Sequence, residues 1–267
     1  MTPLMLLLLL AALAVVGRAK SGRIAVTLLL NSLILLGAIL FMLMGFPAVV
    51  VGWLCLIGMS ALTLFYQNGV NQKTEASFVS LLIVVLLMSG LIWFLCVRAG
   101  LCGLNERTWE EDEAVLLDLH LRINMIRVTY VVLAFGLLGA VKDSAMAVAT
   151  GAYEVFRGHP DMSRRELFQS GMSIGRDVLG VTINTLLFAA IGESVLMFQM
   201  YFDCTYTLAE LLNAKSLFQE AAVVLVGGIG VECSIPVTAA VFSLLCTGKR
   251  RVPPSGGGRA DQGENRE

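Results

Sequence analysis

Residues 24–44 read "IAVTLLLNSLILLGAILFMLM", twenty-one in a row without a charge. About twenty apolar residues of helix span the roughly 30 Å hydrocarbon core of a bilayer. Backbone polar groups find no water there, and a helix satisfies them within a single segment. Comparable runs recur near 47–66, 78–97, 128–150, 178–202 and 221–246, with a shorter one at 3–16. The pattern predicts an all-α protein, a polytopic transmembrane helical bundle of about seven spans. The run at 3–16 is short for a span. A signal peptide is its rival reading, but it lacks a basic n-region, and "VGRAKSG" is a poor cleavage site. Composition agrees, with 15% charged residues against about 25% in soluble domains.

Lys and Arg set orientation. Placing "GRAKSGR" (17–23) in the cytoplasm and alternating puts 67–77, 151–177 and the tail on the same side. Those segments hold 13 of the 19 basic residues. The expectation is N-terminus out and C-terminus in. The stretch 247–267 is basic and rich in Pro and Gly, and is read as a disordered cytoplasmic tail. Residues 105–127, "NERTWEEDEAVLLDLHLRINMIR", place Leu116, Leu119, Ile123, Ile126 and Tyr130 on one stripe. They are read as an amphipathic helix leading into the fifth span, with Thr108 and Glu111 at capping-box spacing.

Six cysteines form no C-x-x-C pair. Cys55, Cys233 and Cys246 read as small apolar residues. A Cys102–Cys204 bridge is conceivable. No basic stripe interleaves with aromatics, so nucleic-acid binding has no support. His120 has no second ligand near it, and no metal or cofactor is expected. "GGIGVE" follows no strand, "QSGMS" is no nucleophile elbow, and Asp143 with Asp177 as an aspartyl pair lacks supporting flanks. The chain is not read as an enzyme.

Ionisable groups inside the runs are the informative exception. In "GAVKDSAMAVATGAYEV" (139–155), Asp143 and Glu154 are eleven positions apart, about 20° on a helix. Gly136, Gly139, Ala147 and Thr150 share that face. Lys142 points about 100° away from Asp143 and needs a partner elsewhere. In the sixth run Arg176 and Asp177 open the span. Asp177, Gly180 and Asn184 share a face there, and Glu193 lies further on. In the seventh, Gly228, Glu232 and Pro236 share a face, and Pro236 frees a carbonyl. A charge at mid-bilayer costs roughly 2.5–3.5 kcal/mol on insertion scales. The expected resolution is that the three faces meet inside the bundle, where Lys142 and Arg176 neutralise carboxylates.

Three stretches resemble the YibE/F-like multi-pass proteins of bacteria: 139–155 above, "ELFQSGMSIGRDVLGVTINTLLFAAIG" (166–192) and "GVNQKTEASF" (69–78). The resemblance covers about residues 17–246. Lys142 departs from it, standing where an apolar residue is expected. Longer members also carry a region before the first span. The resemblance implies a protein of the bacterial cytoplasmic membrane, often with a neighbouring paralogue, called a permease chiefly by topology. The last three spans also resemble one half of an RND-type membrane domain, as in the SecD/SecF translocation proteins. Such halves work in pairs and use proton flow.

The expected function is a secondary transporter or proton-coupled export component, working as a homodimer or as a heterodimer with a paralogue. The expected proton or ion path is Asp143, Glu154, Asp177, Asn184, Lys142, Arg176, Thr150, Glu193 and Glu232. The alternative is a non-transporting membrane assembly or receptor subunit whose buried charges are structural. The charge bias also makes a prediction about topology. A reporter that is active only in the cytoplasm should be active when fused after Glu267 and inactive when fused within 99–124.

Overall fold

In a computed structural model, residues 21–101, 125–203, 207, 209–210 and 213–248 are described. Among the described residues six long α-helices run in order: α1 (Ser21–Leu43), α2 (Ala48–Ala61), α3 (Gln72–Arg98), α4 (Met125–Gly158), α5 (Arg164–Asp203) and α6 (Lys215–Gly248). Each is long and apolar enough to cross a membrane, α2 when counted on through Tyr66. The protein is thus a helical membrane bundle. The run at 3–16, most of the interval 105–127, Cys102, Cys204 and the tail beyond Gly248 lie outside the described residues.

Helix ends follow local chemistry. Gly45 and Gly100 take φ of 92° and 66° just past α1 and α3, a left-handed turn that costs glycine nothing. Pro47 then precedes the first residue of α2. Asn71 and Thr74 form a reciprocal capping box at the start of α3. Ser163 and Glu166 do the same for α5, the carboxylate accepting from the Ser163 N–H at 2.8 Å.

Two segments differ from the sequence reading. The interval 151–177, taken as a loop, is helical except for 159–163. Arg157, Arg164 and Arg165 lie at the ends of α4 and α5, whereas Arg176 and Asp177, read as the opening of a span, lie well inside α5. The third run does not stay α-helical either: Leu62–Tyr66 widen into a π-helical turn. Beside that turn, Asn31 Nδ2 donates to Thr63 Oγ1 at 3.0 Å and ties α1 to it.

α3, α4 and α6 form the centre, and α1 and α5 are largely exposed. The Trp93 and Tyr130 rings meet edge to face at 6.2 Å, and Lys73 Nζ lies 5.8 Å from the Tyr153 ring centroid. These contacts make α3 and α4 antiparallel. Gln219 Nε2 donates to the Leu101 carbonyl at 2.7 Å, and Cys246 Sγ lies 3.8 Å from Gln72 Oε1. α6 is therefore also antiparallel to α3, and parallel to α4.

Glycines let the outer helix approach. A Cβ on Gly171 of α5 would stand 3.0 Å from the Ala239 Cβ of α6. Gly175 abuts Ile235, and a Cβ on Gly151 of α4 would stand 2.9 Å from Ile174 Cγ2. Close backbone approach through small residues is how helices gain packing energy in lipid, where apolar burial gives none. Gly180, on the far side of α5, meets nothing within 4 Å. We expect Gly171→Val to cost about 1–3 kcal/mol by overpacking and Gly180→Val to cost far less. Unfolding in mixed micelles of increasing denaturing detergent would measure both.

Candidate functional site

α4 is covered on every side but one. Val132, Gly136, Gly139, Asp143, Ala147 and Glu154 form an exposed stripe along it, with Thr150 half-buried on the same line. Lys142 is also half-buried. The remaining faces carry Leu137, Val141, Ala145, Val148 and Ala149, all at 1% exposure or less. The face read from the sequence is therefore a real face, but it looks out of the bundle.

The other two faces also look outward. On α5, Arg176, Asp177, Gly180 and Asn184 are exposed. Asp177 stands two residues past Gly175, which packs on α6. Two residues turn a helix by about 200°, to its opposite side. On α6, Glu232 and Pro236 are exposed. Ser234, two residues beyond Glu232, meets Ser144 of α4, so Glu232 points away from α4 by the same argument. Glu193 lies within α5.

The three acids nevertheless share a depth. Ser144 opposite Ser234 sets Asp143 level with Cys233, one residue from Glu232. Gly175 opposite Ile235, in an antiparallel pair, sets Asp177 at the same level. The apolar stretches of α4 and α6, Ile126–Gly158 and Lys215–Cys246, have their midpoints within two residues of Asp143 and Glu232. The carboxylates thus form a belt near mid-span, radiating from three helices instead of converging.

This corrects the expectation that the faces meet in the interior. Among the described residues, no ion pair or hydrogen bond links Lys142 or Arg176 to Asp143, Glu154, Asp177 or Glu232. The physical reason is the packing faces. α4, α5 and α6 meet through their small and apolar residues, and the charges occupy the sides left over. Among the described residues, no group of three or more His, Cys, Asp or Glu is placed to hold a metal ion.

Residues 5–248 match the family model described as YibE/F-like protein. The chain belongs to the YibE/F-like family. No curated protein and no solved structure matches it. The family match begins inside the first apolar run and ends with α6, so it takes in the whole described bundle of this YibE/F-like chain.

Inside the bundle lies a polar cluster that reasoning from charge missed. Thr74, Ser77 and Ser80 on α3, Ser144 on α4, and Ser234 and Thr238 on α6 are all fully buried. The Ser144 and Ser234 hydroxyls are 2.6 Å apart and hydrogen-bonded. Ser77 Oγ, with one hydrogen to give, stands 2.8 Å from the Lys73 carbonyl of its own helix and 3.3 Å from the Ala145 carbonyl of α4, and shares that hydrogen between them. Thr238 Oγ1 is buried without a partner. The sequence signal was present: Thr74, Ser77 and Ser80 at steps of three in an otherwise apolar run, and a serine beside Asp143. Hydroxyls are neutral and bond back to their own helix, so they cross lipid cheaply and bind helices together. A double-mutant cycle with Ser144→Ala and Ser234→Ala, read by detergent unfolding, should show coupling of about 1 kcal/mol.

Proposed function

We propose that this YibE/F-like chain is a subunit of a proton-coupled transporter in the bacterial cytoplasmic membrane, with Asp143 as the proton carrier. One observation supports the reading above others: an acid near mid-span, on a face lined with glycine and alanine and bonded to nothing else in the described chain. Ionisable groups at such depth are costly, and those that are kept mark ion paths, proton relays or counter-ions.

Thr150 and Glu154 continue the same stripe toward the end of α4 that carries Arg157. Arg23, Lys73, Arg157, Arg164 and Arg165 gather at that end of the bundle, and we assign it to the cytoplasm by the positive-inside rule. The path then runs from mid-span at Asp143 to the cytoplasmic surface at Glu154. Asp177, Asn184 and Glu232 stand on other faces, and a path through them would need a different neighbour.

Reading the chain as a membrane assembly subunit without transport draws on the same unpaired charges. The two readings separate on proton movement. In proteoliposomes under an imposed pH gradient, the wild type should take up protons. Asp143→Asn should lose that uptake by at least about tenfold, and Asp143→Glu should keep part of it. Equal flux in wild type and Asp143→Asn, with both proteins folded, would remove Asp143 from the path.

A further inference from the structure

The Asp143 stripe of α4 faces outward at a depth where lipid offers hydrocarbon. Its charges are also balanced in a particular way. Asp143 and Glu154 lie on the stripe, and Arg157, exposed three residues after Glu154, falls on it as well. Lys142 borders it, about 100° round from Asp143. That makes two acids and one base on the stripe with a second base at its border, at two depths: Asp143 with bordering Lys142 near mid-span, and Glu154 with Arg157 at the end.

From this geometry we infer that the stripe is a homodimer interface, in which α4 packs on α4 of a second copy across a two-fold axis along the membrane normal. In a two-fold contact, residue i of one copy meets residue j of the other, and j meets i. Lys142 then reaches Asp143 of the second copy while its own Asp143 receives the other Lys142. Glu154 and Arg157 pair reciprocally in the same way. An axis along the normal keeps every pair at its own depth, and the balanced charges make the face complementary to itself. No lipid tail supplies that neutralisation.

Shape agrees with charge. Gly139 meets nothing within 4 Å on the outer side, and Gly136 only Val223 at 3.4 Å. With Ala147 they leave a shallow groove in which a second helix backbone can lie close. The outer face of α5 is different. Val181 and Phe188 are 69% and 70% exposed there, as suits a lipid-facing surface. The interface stands on packing and charge alone, so it holds whether or not protons pass along it.

Two measurements on the full chain, purified and reconstituted in liposomes, decide the matter. Energy transfer between donor- and acceptor-labelled copies, diluted in lipid, reports association without any other protein present. Oxidation with copper phenanthroline reports the face. Gly139→Cys should give a disulfide-linked dimer. The wild type, with its own cysteines, and Gly180→Cys, on the outer face of α5, should not. Asp143→Lys places like charges across the axis and should weaken association by about tenfold or more. Adding Lys142→Asp restores opposite charges and should recover it.

Circular dichroism and monodisperse elution would show that each variant is folded. Chains that stay monomeric as wild type would overturn the interface. So would cross-linking through Gly180→Cys in place of Gly139→Cys, or a double swap no better than the single one. Because proton uptake is read separately, a dimer without flux would leave this interface standing and count against the transport reading.

Discussion

A charge in hydrocarbon must be covered, and α4 is organised around that requirement. Its inner sides are filled by Leu137, Val141, Ala145, Val148 and Ala149, which are 1% exposed or less. Such a helix can be surrounded closely by α3, α5 and α6 because so little side chain stands between the backbones. The same close packing leaves no interior room for Asp143. The acid is displaced to the one uncovered side, where no described residue is bonded to it. Interior tightness and exterior polarity are two results of one cause.

The interior then solves its polar problem by other means. Hydroxyls replace charges where helices touch. Ser144 bonds Ser234, and Ser77 bonds the Ala145 carbonyl. Each is worth little alone, since interhelical hydrogen bonds in membranes average well under 2 kcal/mol. Their direction matters more than their strength. A hydroxyl facing lipid gains no partner from a neighbouring helix, so the set helps fix the rotation of α3, α4 and α6 about their own axes. That rotation points the carboxylates outward.

Much of this was legible in the sequence, and the rest was not for physical reasons. Spans were readable because charge-free length is a one-dimensional property. The shared face of Gly136, Gly139, Asp143, Ala147 and Glu154 was readable because helical angle follows from residue number. Which helices touch was not, since α5 packs through Gly171 and Gly175 and no periodicity names their partners on α6. The expectation of converging charges failed there: each face was right and their relation was not. The π-helical turn at Leu62–Tyr66 was also hidden, as "LTLFY" looks like any apolar helix. The hydroxyl cluster was visible residue by residue, but it carries no charge and drew no attention.

The pinning of α6 has a consequence for how such a chain is made. α1 and the π-helical turn that follows α2 share a polar bond between Asn31 and Thr63, residues made early and close together in sequence. That hairpin can close while the ribosome is still working on α3. The centre cannot. Ser144 waits ninety residues for Ser234, and Gln72 waits for Cys246. Until the last helix inserts, Ser144 has only its own backbone as partner, the Val141 carbonyl at 3.1 Å. The bundle therefore closes from its end, and the half-made chain holds Ser144 without its cross-helix partner until α6 is made.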